Sequence, residues 1–204
     1  MRGDLGMEEM FAMRPAVRRA TAEDAGQVAE LIATAFAELR SVAYLVPDRR
    51  ERHKVLTANF RIFVDHALEH GEVHVIDDGP AAAVWLPHTS ELPEPADYDR
   101  RLDEATGEWA SRFRELDALF ESNHPAEPYH HLAFLAVHPD CQNQGLGTAL
   151  LRHRHDRLDG ARAYLEASSV RSRDLYARHG YQPLEPFALP DGTLFWPMWR
   201  PAAP

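Results

Sequence analysis

The sequence predicts an α/β fold, a mixed β-sheet flanked by helices. Short strand-like runs recur at 16–21, 72–76, 81–86, 131–137, 163–167 and 193–199. Between most of them lie longer stretches whose apolar residues fall at helical spacing. The two kinds of segment do not alternate strictly. Two strands meet directly across Asp77-Asp78-Gly79-Pro80, a hairpin turn, so the sheet is not wholly parallel.

Taken in order, 16–21 (AVRRAT) reads as the first strand. Thr21 is placed as a helix N-cap, with Asp24 three residues on as its capping-box partner. Val28, Leu31, Ile32, Ala35 and Phe36 then mark a helix over 22–39, and Pro47 and Asp48 punctuate the chain after it. A second helix over 50–70 carries Val55, Phe60, Phe63, Val64 and Leu68, and Gly71 closes it. After the hairpin, Pro87 to Pro95 reads as a loop. One long charged helix is expected over 98–121, with Trp109, Phe113, Leu116 and Phe120 on one side. The unbroken apolar run HLAFLAV, 131–137, predicts a buried strand. A helix over 145–158, a strand over 163–167 and a short helix over 171–179 capped by Gly180 follow. Tyr181 begins another strand, and in the last one, 193–199, Pro197 predicts an edge position.

At 204 residues the chain is expected to be a single domain, 14–204. Residues 1–13 hold four methionines, no apolar core and no small-residue cleavage site, so they are expected to be an extension without fixed order rather than a signal peptide. The formal net charge of −10 excludes a general nucleic-acid binder, which needs a basic face, and suits a cationic ligand. A single cysteine, Cys141, excludes an intrachain disulfide and a cysteine-based zinc site. Two histidine pairs, His130–His131 and His153/His155, have no second ligand cluster at metal spacing, so no metal is expected. No apolar run approaches the ~18 residues needed to cross a bilayer, so neither a membrane nor nucleic acid is an expected partner, and a reducing cytoplasm is the default location.

The segment that carries chemistry is 131–147, where a buried strand turns into Gln142-x-x-Gly145-x-Gly147 and a helix begins. Glycines let a ligand approach the backbone. The unbonded amides of a helix start, with the positive end of its dipole, hold phosphate oxygens. Inside a helix each glycine costs about 1 kcal/mol relative to alanine, so their placement asks for a reason. A tight strand–helix turn with no ligand is the competing explanation. A P-loop is excluded, since no Gly-Lys-Ser/Thr follows, and the third glycine of a Rossmann fingerprint is missing.

With a second block, Leu175-Tyr176-Ala177-Arg178-His179-Gly180-Tyr181, the segment from about 130 to 184 resembles the GNAT superfamily of acetyl-CoA-dependent N-acetyltransferases. Gln142–Gly147 is similar to that family's Gln/Arg-x-x-Gly-x-Gly/Ala loop, and the second block to its Leu/Phe-Tyr-x-x-x-Gly-Phe/Tyr. VRRAT near the start, DDGPAAAVW in the hairpin, Glu127-Pro128 and LEAS…LYARHGY are similar to puromycin N-acetyltransferase-like enzymes within it.

The resemblance implies a GNAT-type splayed sheet, with acetyl-CoA as co-substrate and no metal. Its pantetheine arm would add like a strand along Leu135, Ala136 and Val137. The backbone amides of Asn143, Gln144, Gly145, Leu146, Gly147 and Thr148 would hold the pyrophosphate without a basic side chain, with Gln142 opening the loop as a further cofactor-binding residue. Tyr176 would be the general acid for the departing thiolate, and Glu166 the first candidate for base. Where many members carry an asparagine, this chain has Ser169 and Ser172, of which Ser172 is taken as a shorter-reaching contact. The helices over 50–70 and 98–121, with Trp85, Trp109, Tyr129 and His130, would wall the acceptor. The function implied is direct acetylation of a primary amine on a small molecule, in the manner of an aminonucleoside-type antibiotic, by a monomer or homodimer. A protein lysine or N-terminal acetyltransferase and a non-catalytic CoA sensor are the alternatives.

Overall fold

The computed structural model describes residues 15–202, so the expected extension over 1–13 lies outside the described residues. Eight strands form one sheet: β1 (Val17–Arg19), β2 (Glu72–Ile76), β3 (Ala81–His88), β4 (Tyr129–Val137), β5 (Ala163–Ala167), β6 (Gln182–Pro183), β7 (Phe187–Ala188) and β8 (Leu194–Arg200). Across the sheet they run β1-β2-β3-β4-β5-β8-β6, with β7 also paired to β8. Every neighbouring pair is antiparallel except β4 and β5.

Alternation along the strands sorts apolar side chains onto two faces. One face packs under α1 (Ala25–Phe36), α2 (Arg40–Leu45), α3 (Arg52–His70), α4 (Tyr98–Thr106) and α5 (Ala110–Asn123), with Ile32, Val64, Val84 and Leu102 fully buried. The other packs against α6 (Leu146–His155) and α7 (Val170–Ala177), around Trp85, Leu150, Leu165 and Met198. No helix among the described residues is long and apolar enough to cross a membrane.

Local chemistry explains most boundaries. The Asp24 carboxylate accepts the Thr21 amide at 2.8 Å and pairs with Arg18 at 2.7 Å, closing a 3-10 turn ahead of α1. Gly71 ends α3 for a steric reason: a Cβ there would stand 2.1 Å from the carbonyl oxygen of Trp85. The long helix expected over 98–121 is two, because the chain turns at Gly107 with φ +52° before a 3-10 turn leads into α5. The loop expected from Pro87 starts later, since β3 continues to His88 opposite Tyr129.

Pro197 is not on an edge strand, because β8 runs between β5 and β6. Its carbonyl accepts the Leu184 amide, so its missing N–H faces the two-residue β6 and the break before β7. The β5 side of the strand keeps its ladder, Glu166 opposite Pro197.

Burial pushes the imidazoles of His74 and His155 down to about 4. Both are neutral when folded, while the unfolded chain takes up protons below about 6.5, so their contribution is complete above that pH and is lost as pH falls toward about 4. The melting midpoint measured by circular dichroism is expected to hold level above about pH 7 and to decline steadily from about pH 6.5 to 4. A level midpoint across that window contradicts the assignment.

Candidate active site

The sheet splits at its centre. β4 and β5 pair only through His130 opposite Ala163 and His131 opposite Tyr164, and beyond those residues the two parallel strands diverge. On its other edge β4 stays paired to β3 as far as Val137. The His138 amide donates to the Pro80 carbonyl at 2.8 Å, so the main chain at 138 faces β3. Alternation then turns the amides and carbonyls of Leu135 and Val137 into the gap and those of Ala136 toward β3. Two of the three residues expected along the pantetheine arm therefore offer backbone to the gap, and Ala136 does not.

A bulge sets which side chains reach each face. Val84 stands opposite Phe134 and Trp85 opposite Leu132, leaving Ala133 without a partner. Counting by two from Val137, an unbulged strand would place His130 on the α1–α5 face and His131 on the α6–α7 face. The extra residue exchanges them. His131 lies opposite Leu86 on the α1–α5 face, and His130 turns to Arg154 at 3.3 Å on the other. Trp85 shares that second face and is core. Of the four residues expected to wall the acceptor, Trp109 packs against the α1–α5 core, and Tyr129 stands beside His131 and Glu166.

After β4 a 3-10 turn, Pro139–Cys141, leads into the glycine loop. Asn143 (φ +63°) and Gly145 (φ +82°) are both left-handed, and α6 begins at Leu146. Ala149 is the first residue whose amide bonds backward, to Gly145 at 2.9 Å, and the amides of 143–148 meet no acceptor among the described residues. The side chains of Gln142 and Gln144 brace the loop by donating to the carbonyls of Val137 and Asp140, each at 3.4 Å. A Cβ on Gly147 would meet Leu135, Leu175 and Val137 at 3.6–3.8 Å, ordinary contact, so packing within the chain does not require glycine there.

Two residues differ from expectation. Ser172 is engaged in the cap of α7, donating its hydroxyl to the Ser169 carbonyl at 2.9 Å. Arg171 reaches across to the Asn143 side-chain oxygen at 2.8 Å, bringing a cation to a loop expected to work without one. It stands 28 residues from Asn143, so no contiguous motif announces it.

Tyr176 and Glu166 lie on opposite faces of the sheet. Tyr176, on α7, lies in the α6–α7 core beside Tyr181, and burial pushes its phenol well above the usual range. Glu166, on β5 just past the last pair with β4, points to the α1–α5 face. Its Oε2 meets His131 Nε2 at 2.8 Å and its Oε1 meets His124 Nε2 at 3.2 Å. Burial drives this carboxyl upward, but His131 and His124 outweigh it and hold the group low and ionised. Around it stand the rings of Tyr129, Tyr164 and His88, with Tyr129 stacked on His88 at 4.8 Å.

Residues 113–183 match the family described as Acetyltransferase (GNAT) domain. A Corynebacterium glutamicum structure described as histone acetyltransferase HPA2 and related acetyltransferase is 28% identical, with a TM-score of 0.66, covering 94% of this chain and 98% of that one. The polyamine N-acetyltransferase of Drosophila melanogaster, described as forming N-acetylagmatine, superposes with a TM-score of 0.58 at 19% identity, over 90% of this chain and 98% of its own. A mosquito arylalkylamine N-acetyltransferase-like protein gives 0.57 at 18%, over 91% and 98%. The matched segment spans the split strands, the free amides and Tyr176. Over residues 113–183 the chain matches a GNAT acetyltransferase domain, and with these neighbours the match supports an N-acetyltransferase.

Proposed function

We propose that the enzyme moves an acetyl group from acetyl-CoA directly to a primary amine of a small molecule, without a covalent acyl-enzyme. The observation that supports this reading is that Tyr176 and Glu166 lie on opposite faces of a sheet whose strands β4 and β5 part beyond His131.

The residues present fit acetyl-CoA. The unbonded amides of 143–148 suit a diphosphate, and Arg171 adds a positive charge beside them. Leu135 and Val137 would bond the amide-bearing arm as an added strand. Bound there, acetyl-CoA supplies an activated thioester. Glu166, ionised and held by His131, accepts the proton of the attacking amine at its carboxylate. Tyr176 keeps its proton through the neutral range, because burial raises it, and gives it to the departing sulfur.

Aromatic rings around one buried carboxylate suit a small ammonium-bearing acceptor, which they would bind by charge and by cation–π contact. The net charge of −10 favours its approach. Among small amines, an aminonucleoside-type antibiotic is the acceptor to which the sequence resemblance points. A lysine-bearing peptide is the comparison to run, since the 28% identical structure is described as a histone acetyltransferase.

Tyr176→Phe is expected to lower turnover about 10²–10⁴-fold while acetyl-CoA affinity by calorimetry changes little. Wild-type turnover removes the acid assignment. Glu166→Gln should lower kcat/KM by at least about 10²-fold at neutral pH, and the loss should shrink as pH rises and more amine is neutral. Unaltered kcat/KM refutes the base.

Gly147→Ala separates ligand from fold. Its melting midpoint should stay level or rise, by up to about 1 kcal/mol of helix propensity, while acetyl-CoA binding weakens. A destabilised protein with normal affinity would assign Gly147 to folding instead. Thiol release assayed with polyamines, an aminonucleoside and a lysine peptide tests the acceptor class. Activity confined to the peptide overturns it, and acetyl-CoA binding with no release across the panel points to a sensor.

A further inference from the structure

Glu166 has a second neighbour that the transfer reaction does not use. His124 sits just past the end of α5, and its Nε2, the His131 Nε2 and the Glu166 carboxylate all lie within 4.8 Å of one another. The Glu166 side chain is 5% exposed, His131 10% and His124 22%. The two contacts are not equivalent. His131 and Glu166 form an aligned hydrogen bond at 2.8 Å. His124 Nε2 and Glu166 Oε1 are 3.2 Å apart, yet both atoms are buried without a hydrogen-bond partner. Burying such atoms unsatisfied is costly, and a shared third centre would relieve both.

We propose that His124, His131 and Glu166 form a site for a zinc-class divalent cation, and that the bound cation silences the transferase. Two imidazole nitrogens and one carboxylate are the donor set of a three-ligand zinc site with one position open. With metal–ligand bonds of about 2.0–2.1 Å, tetrahedral ligands stand roughly 3.3 Å apart; His131 lies 2.8 Å from one Glu166 oxygen, His124 3.2 Å from the other, and one ligand atom of each residue lies within 4.8 Å of the rest. A single carboxylate is too few for calcium or magnesium, which take oxygen ligands throughout. The ion pairs of Glu166 among the described residues are with these two histidines alone, so no lysine or arginine competes for the carboxylate. Tyr164 supports the second coordination layer, its hydroxyl donating at 3.1 Å to the carbonyl of Asn123, the residue before His124.

The three ligands come from the end of α5, β4 and β5. A cation there ties the helices above this face to the sheet. It also occupies the Glu166 lone pairs that would take the amine proton, so the silencing, though not the binding, rests on the proposed function.

Cobalt(II) titrated into chelator-treated full-length protein tests the site without reference to activity. One equivalent should give the visible absorption of a tetrahedral nitrogen–oxygen site, displaced by zinc, and should raise the melting midpoint. Magnesium should do neither. His124→Ala and the near-isosteric Glu166→Gln should lose the bands. His153→Ala should keep them, because that imidazole lies against His74 on the α6 side of the sheet. Absence of bands in the wild type, their survival in Glu166→Gln, or their loss in His153→Ala overturns the site. Zinc should depress acetyl transfer reversibly, with chelator restoring it. Bands without inhibition refute the silencing, and bands in a protein inactive on every amine refute the transferase reading while the site stands.

Discussion

The molecule depends on two parallel strands that fail to stay together. β4 and β5 share two residue pairs and then part, and main-chain hydrogen bonds that a closed sheet would make remain unmade along Leu135 and Val137. An open strand edge inside a protein is costly unless something completes it. Among the described residues the Gln142 side chain takes one of these groups, donating to the Val137 carbonyl at 3.4 Å, and no strand pairs there. Tyr176 lies on one face of the divided sheet and Glu166 on the other. On the proposed function, donor and acceptor would meet where the strands separate.

The glycine loop continues the logic at the far end of β4. Left-handed Asn143 and Gly145 turn the chain so that successive amides point outward rather than into a helix already under way. On the proposed function, affinity for a diphosphate would reside in these backbone amides, which need little basic character beside them. Arg171 modifies this picture by supplying one charge from a different helix, anchored on Asn143.

Much of this was legible in sequence where the signal was contiguous. The unbroken apolar strand, the Gln142–Gly147 loop and the Leu175–Tyr181 block are each local, and each falls where it was expected. What stayed hidden was assembled by distance or by a single inserted residue. The Ala133 bulge inverts the facing of His130 and His131, so a strict count of two selects the wrong histidine. His124 and Arg171 reach the site from the end of α5 and the start of α7, and no spacing rule joins either to its partners. Pro197 misled because the edge-strand rule holds only when the absent N–H faces a full neighbouring strand, and here it faces a break between β6 and β7.

Amide hydrogen exchange, followed by mass spectrometry with and without acetyl-CoA, addresses the unpaired backbone itself. The account predicts new protection at Leu135, Val137 and the amides of 143–148, with Ala136, already turned toward β3, unchanged. Protection at Ala136 but not at its two neighbours, or none along the loop while the ligand is bound, would contradict it.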